Sequence, residues 1–174
     1  MVSVLRVLLV PILVLLILAK NRTASEVAAV IFAVGALTDG VDGYLARRFS
    51  SVTRTGQWLD PLADKLLVSA AVVALTALDR FPVWAAVIIV ARELGISALR
   101  VWLGLRGRAM PASGPAKLKT TVQLIAIALY ILPLGSGADG LKLAVLIAAV
   151  VLTVVTGLDY VRRAVRTVRE PATR

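Results

Sequence analysis

Six apolar stretches of about 20 residues follow one another along the chain and limit the folds open to it. They cover residues 2–19, 26–45, 59–78, 82–103, 118–134 and 141–160. A helix of this length crosses the apolar core of a bilayer, where every backbone polar group must be satisfied within the protein. We therefore expect an all-α polytopic membrane protein with six transmembrane helices, folded as one domain over residues 1–174.

The composition supports a membrane protein and excludes several kinds of chemistry. Hydrophobic residues make up 59% of the chain and charged residues only 17%, which is unlike an ordinary soluble domain. The chain has no cysteine and no histidine. Disulfides, thiol catalysis, imidazole bases and zinc sites built on Cys or His are therefore excluded. Titratable chemistry must rest on Asp, Glu, Lys, Arg or Tyr.

The formal net charge of +10 is interpreted as the cytoplasmic bias of Lys and Arg in a multi-pass protein rather than as nucleic-acid binding. In the predicted topology, twelve basic residues of the loops and tail lie on the side that carries residues 39–64. The other side has four, namely Lys20, Arg22, Arg80 and Lys142. The former side is therefore predicted to be cytoplasmic, together with both termini.

Four aspartates beside or inside the apolar stretches are the strongest functional signal. Asp39 and Asp42 are three residues apart, and Asp60 and Asp64 are four apart. On helices, these spacings put each pair on one face. Carboxylates at membrane depth are costly and usually mark function. Two such faces turned together would suit hard divalent cations, and thus chemistry on phosphates.

The sequence around these aspartates reads DGVDGYLARRFSSVTRTGQWLDPLADK over residues 39–65. Its pattern, D-x-x-D-G-x-x-A-R, eight residues, then G-x-x-x-D-x-x-x-D, resembles the signature of the CDP-alcohol phosphotransferase family. The resemblance implies that Asp39, Asp42, Asp60 and Asp64 hold two Mg²⁺ or Mn²⁺ ions and that Asp64 is the catalytic base. It also implies a homodimer. The residues expected to bind the CDP-linked lipid are Gly43, Ala46, Arg47, Thr53 and Gly56.

A second region carries a resemblance to the bacterial branch of this family that uses glycerol 3-phosphate. It comprises residues 91–100 and 113–123. The resemblance implies transfer of a phosphatidyl group from CDP-diacylglycerol to glycerol 3-phosphate in a bacterial cell membrane, with release of CMP. The acceptor's phosphate needs cations, and a guanidinium within a membrane span needs a partner or ligand. The candidates are Arg92, Lys117, Lys119 and, more weakly, Arg100.

Alternative interpretations stay open at this point. The acceptor could be inositol phosphate, or phosphatidylglycerol as in a cardiolipin synthase, and intramembrane carboxylates also occur in divalent-cation transporters. Arg92 could simply pair with Glu93 or an aspartate, and the lysines could extend to lipid headgroups. Members of the family often begin with an N-x-x-T-x-x-R run, whose asparagine would here precede Met1. That observation leaves open whether the natural chain starts earlier.

Overall fold

A computed structural model describes residues 2–49, 56–106 and 114–169, and the side chains of residues 8–36, 65–106 and 117–168. Over these ranges the chain is all helical. The helices are α1 (Val2–Leu18), α2 (Arg22–Phe49), α3 (Gly56–Ala77), α4 (Val83–Leu105), α5 (Gly114–Ile131) and α6 (Asp139–Arg169). A short 3₁₀ turn, Ser136–Ala138, precedes α6. The six apolar stretches thus correspond to six helices.

The helix boundaries differ from the predicted ones mainly in α2 and α6, which continue into polar sequence. Helix α2 begins at Arg22 because the Asn21 side chain accepts a 2.7 Å hydrogen bond from the Ala24 amide and caps the first turn. Helix α6 continues to Arg169. An ion pair between Arg163 and Asp159, 2.7 Å long and one turn apart, supports its polar extension. The apolar pattern of the sequence alone does not predict such polar extensions.

Small residues allow the helices to pack closely around the core. Five helices each contribute a fully buried alanine, namely Ala28, Ala71, Ala85, Ala126 and Ala149. Larger side chains fill the space between them, including Leu13, Phe32, Leu75, Ile89, Ile127 and Leu146. Small residues at helix contacts let backbones approach, which strengthens van der Waals packing where lipid surrounds the protein. Helix α1 packs against α2 and α3, and α6 packs against α4 and α5.

Each helix exposes large apolar side chains among the residues whose side chains are described. Exposed side chains include Leu15 on α1, Val30 on α2, Val73 on α3, Val87 on α4, Ile125 on α5 and Val155 on α6. Apolar surface of this extent marks contact with lipid or another protein. By length and apolar composition, α6 is the single clear candidate for a membrane span within the described residues. In α4, any stretch long enough to cross a bilayer includes Arg92, Glu93 and Arg100.

The chain reversal between α3 and α4 is closed by a C-terminal cap. Asp79 has a positive φ of 56°. The Asp79 amide donates to the Thr76 carbonyl and the Arg80 amide to the Leu75 carbonyl, both at 3.0 Å, the pattern of a Schellman motif. The Arg80 guanidinium then donates to the Ile131 carbonyl at 2.9 Å and to Ser25 Oγ at 3.2 Å. These bonds join α5 and α2 to the reversal.

Candidate active site

The four aspartates lie on two helices that meet. Asp39 and Asp42 belong to α2, and Asp60 and Asp64 to the first part of α3; their side chains are outside the described set. Seven peptide steps join Phe49 to Gly56, a reach of at most about 25 Å. The end of α2 and the start of α3 therefore lie at the same end of the molecule. Both pairs are in helical backbone, as their spacing predicted.

A glycine brings α2 and α3 together one turn from the aspartates. A Cβ on Gly35 would lie 2.9 Å from Leu67 Cδ2, so the end of the Leu67 side chain occupies the space that a side chain at position 35 would fill. Leu67 is almost fully buried in this contact. Gly35 precedes Asp39 by four residues, and Leu67 follows Asp64 by three. The helix-to-helix contact therefore lies immediately beside the aspartate-bearing segments.

The residues predicted to bind the CDP-linked lipid belong to the same region. Gly43, Ala46 and Arg47 lie in the last turns of α2, and Gly56 begins α3. Nothing further is described of their side chains, and Thr53 falls outside the described residues. Their expected role in the donor site stays a prediction.

The described part of the site is centred on the buried carboxylate of Glu93. The side chain of Glu93 is 4% exposed, and its Oε2 contacts Lys65 Nζ from α3. Its Oε1 contacts Lys119 Nζ from α5 and lies 3.3 Å from Arg92 Nη1. We call Lys65, Arg92, Glu93 and Lys119 the Glu93 cluster. It joins α3, α4 and α5.

The Glu93 cluster carries more positive than negative charge. Among the described side chains, Arg92 and Lys119 share the carboxylate of Glu93 and are 15% and 2% exposed. Burying a charge is costly unless it is paired and hydrogen-bonded. One carboxylate cannot neutralise both the guanidinium of Arg92 and the ammonium of Lys119. The remaining positive charge suits an anion such as the phosphate of a phosphate monoester.

Polar side chains of α6 extend the site on the other flank of Arg92. Arg92 Nη2 lies 3.5 Å from Thr156 Oγ1, and Thr153 Oγ1 lies 3.4 Å from Gln123 Oε1 of α5. Within the described residues, Arg92 Nε is buried without a hydrogen-bond partner. Gly157 of α6 lies beside this side chain, where a Cβ would be in ordinary van der Waals contact with Arg92 Cγ at 3.4 Å. Arg92 thus retains an unused donor beside Gly157 of α6.

The four predicted acceptor-binding residues are divided by the structure. Arg92 and Lys119 lie together in the Glu93 cluster. Lys117 is exposed, and within the described residues its side chain has none of the contacts of the cluster. Arg100 lies two turns along α4 from Arg92, where its guanidinium carbon is 5.6 Å from the centre of the Tyr160 ring. Tyr160 itself is buried.

Sequence reasoning missed Lys65 and Thr156 and gave Glu93 only a supporting part. A signal for Glu93 existed, since adjacent opposite charges within an apolar span must find partners. For Lys65, the sequence offered only its position directly after Asp64. Its contact with α4 depends on tertiary packing. Thr156 looks like any small polar residue of a membrane helix.

Comparison with known proteins agrees with the motif. A model of the family described as CDP-alcohol phosphatidyltransferase matches residues 1–155. A Mycobacterium tuberculosis protein named "Probable phosphatidylglycerophosphate synthase" is 42% identical over 167 residues, covering 94% of this chain and 79% of its own.

Two further relatives carry the name "CDP-diacylglycerol--glycerol-3-phosphate 3-phosphatidyltransferase". The Rickettsia typhi protein is 36% identical, covering 91% of each chain. The Bacillus subtilis protein is also 36% identical, covering 91% of this chain and 90% of its own. The resemblance inferred from residues 39–65 is therefore confirmed at the level of the family.

Proposed function

The chain belongs to the CDP-alcohol phosphatidyltransferase family, and from that premise we propose that it transfers the phosphatidyl group of CDP-diacylglycerol to glycerol 3-phosphate. The products are phosphatidylglycerophosphate and CMP, so the protein is a transferase of phospholipid biosynthesis. Relatives that are 36–42% identical over most of their length bear names for this activity. The observation that favours an acceptor with a phosphate group is the buried, net positive Glu93 cluster.

Asp39, Asp42, Asp60 and Asp64 would hold divalent metal, as two ions of Mg²⁺ or Mn²⁺. Carboxylate oxygens are the ligands that such hard cations prefer. The packing of Gly35 against Leu67 brings the two aspartate-bearing helices together, which fits a shared site. When bound, the metal would neutralise the diphosphate of the donor and stabilise the leaving oxygen of CMP.

The reaction is a displacement at the β-phosphorus of CDP-diacylglycerol. The acceptor hydroxyl oxygen forms a bond to this phosphorus, and the bond from phosphorus to the oxygen of CMP breaks, with its electron pair leaving on CMP. The hydroxyl proton passes to the Asp64 carboxylate, which acts as general base. Gly43, Ala46 and Gly56 leave space for the nucleotide, while Arg47 and Thr53 donate to its phosphates.

Arg92 and Lys119 would bind the phosphate of glycerol 3-phosphate. Arg92 offers a fork of donors, including the unused Nε, and Lys119 adds a second positive charge from α5. Inositol phosphate would find the same cations, so the choice between these two acceptors rests on the names of the relatives. Phosphatidylglycerol has no terminal phosphate and would leave the surplus charge unused. Lys117 and Arg100 lie where they could guide the anion inward.

We place the enzyme in the bacterial cell membrane with six membrane-spanning helices. The exposed apolar side chains on all six helices support this placement. The basic bias of one side puts both termini and the aspartate end in the cytoplasm. There the site can take a lipid from the leaflet and a phosphorylated alcohol from the cytosol. We also propose a homodimer.

The test is release of CMP by purified protein in detergent with CDP-diacylglycerol and Mg²⁺. The acceptors to compare are glycerol 3-phosphate, inositol phosphate, inositol, serine and phosphatidylglycerol. We expect turnover with glycerol 3-phosphate alone, lost in Asp64→Asn but kept in Asp139→Asn, an exposed aspartate at the start of α6. Turnover with another acceptor would overturn the assignment of substrate. No turnover with any acceptor, in folded protein that binds metal, would favour a transporter.

A further inference from the structure

Glu93 is the one group that contacts all three cations of its cluster. Lys65 approaches one carboxylate oxygen, and Lys119 and Arg92 approach the other. The cations come from three different helices. Lys65 and Lys119 have flexible side chains whose direction depends on a partner. The carboxylate of Glu93 on α4 is thus a shared partner that helps to fix where the ends of these side chains lie.

Removing the carboxylate would leave Arg92 and Lys119 facing each other without the anion that they share. Like charges in a medium of low dielectric constant repel strongly, and side chains respond by moving apart. Lys65, whose side chain is 29% exposed, has space to move toward solvent. Lys119, at 2% exposed, has little. The arrangement that we assign to acceptor phosphate binding would then be lost although Arg92 and Lys119 were still present.

Lys65 connects this arrangement to the aspartates. It follows Asp64 directly in α3, the helix that also carries Asp60. Contact between Lys65 and Glu93 therefore links the aspartate-bearing helix to the cations of α4 and α5. In glycerol 3-phosphate, the attacking hydroxyl and the phosphate are a few bonds apart. The phosphate-binding cations must consequently be held at a fixed distance from the base and metal ligands.

We propose that Glu93 is a positioning residue that acts through Lys65, holding the phosphate-binding cations Arg92 and Lys119 in register with the aspartates of α3. The proposal rests on the proposed function and deepens it. Glu93 touches no reacting atom in this account. Its effect reaches the reaction through the placement of the acceptor's phosphate.

The test compares Glu93→Gln, Lys65→Met and the double variant by steady-state kinetics with each substrate varied. We expect each single variant to raise the KM for glycerol 3-phosphate about tenfold or more and to change the KM for CDP-diacylglycerol by less than about twofold. Both substitutions remove the same contact between Lys65 and Glu93. The KM of the double variant for glycerol 3-phosphate should therefore be no higher than that of the more affected single variant. Glu26→Gln is the matched control, since Glu26 pairs with Arg22 on the exposed start of α2.

Inorganic phosphate provides a second readout that does not depend on a complete reaction. As a competitor of glycerol 3-phosphate, it should inhibit the Glu93→Gln and Lys65→Met variants with an inhibition constant raised by a similar factor. Thermal unfolding in detergent, with and without phosphate, reports the same loss of binding. If Glu93→Gln does not fold, Lys65→Met carries the test, because the Lys65 side chain is partly exposed.

Three outcomes would overturn the proposal: an unchanged KM for glycerol 3-phosphate, equal losses for both substrates, or effects of the single variants that multiply in the double variant. Each of these can be seen only when the unaltered protein turns over glycerol 3-phosphate. They are therefore distinguishable from failure of the proposed function, in which the unaltered protein would release no CMP with this acceptor.

Discussion

Gly35 of α2 lies so close to Leu67 of α3 that a Cβ at position 35 would be 2.9 Å from Leu67 Cδ2. The contact lies one turn from Asp39 along α2 and one turn from Asp64 along α3. Any side chain added at position 35 must therefore displace Leu67 or separate the helices. The spacing of the aspartates is sensitive to either change.

We expect Gly35→Val to destabilise the protein by about 1–3 kcal/mol, because overpacking forces side chains and backbone to shift. The Mg²⁺ concentration that gives half-maximal CMP release should rise. Gly35→Ala should have a smaller effect, since the end of the Leu67 side chain can move aside. Thermal unfolding in detergent and a Mg²⁺ titration of CMP release measure both effects.

Gly140→Ala is the control for this series, because a Cβ at Gly140 would meet nothing within 4 Å. If Gly35→Val kept both the stability and the Mg²⁺ dependence of the unaltered protein, the contact with Leu67 would have no part in arranging the aspartates.

Lys119 and Lys117 should differ in function although both were predicted to bind the acceptor. Lys119 is buried against Glu93, whereas Lys117 is exposed. We expect Lys119→Met to raise the KM for glycerol 3-phosphate about tenfold or more and Lys117→Met to raise it less than about threefold. Each variant serves as the control for the other. Equal effects would show that the buried location of Lys119 does not determine acceptor binding.

The contrast between these two lysines shows what the sequence could and could not predict. Residues two apart on a helix point about 200° from each other, so one of the pair had to face away from the site. Helical periodicity therefore implied that the two lysines face different sides of α5, but not which of them would be buried. That depends on which side of α5 packs against α6, α2 and α3. Likewise, apolar length predicted six helices, while Asn21 and the Asp159–Arg163 pair determine where two of them begin or continue.

Other features of the site required the tertiary structure. The aspartate pairs could be assigned to helices because their spacing is local. The contact of Lys65 with Glu93 joins residues 28 apart, and nothing in either local sequence indicates it. The position of Tyr160 near the end of an apolar stretch is typical of an aromatic residue at a membrane interface. Its ring is instead buried with Arg100 and Arg163 nearby, 5.6 and 5.9 Å from its centre.

Asp79 offers a stabilising substitution at the end opposite the aspartates. Its φ of 56° is in the left-handed region, where glycine is favoured and other residues are strained. Asp79→Gly should raise the free energy of unfolding by about 1 kcal/mol or less, because relief of left-handed strain, about 1–2 kcal/mol, is partly offset by the greater freedom of glycine in the unfolded chain. Asp79→Val should lower it, because a β-branched residue tolerates this conformation poorly. Thermal unfolding in detergent distinguishes the two, and a lower stability of Asp79→Gly would contradict the cap geometry.

Arg80 joins three parts of the fold, and its loss should reduce stability without altering the site. Its guanidinium donates to the carbonyls of Tyr130 and Ile131, at 3.3 and 2.9 Å, and to Ser25 Oγ. The two carbonyls belong to the last turn of α5 and have no later amide of that helix to accept from. Arg80→Met would leave them without this donor, at a cost of about 1.5–3 kcal/mol.

Arg22→Met is the matched control for Arg80→Met. Arg22 forms an exposed ion pair with Glu26 one turn along α2, and such pairs contribute only about 0.3–0.5 kcal/mol. We expect the unfolding temperature to fall clearly for Arg80→Met and hardly for Arg22→Met, with the KM values for both substrates unchanged in the folded protein. A raised KM for glycerol 3-phosphate in Arg80→Met would mean that the two ends of the bundle are coupled. The two ends would then be connected by α5, which carries Lys119 toward one end and the carbonyls bound by Arg80 at the other.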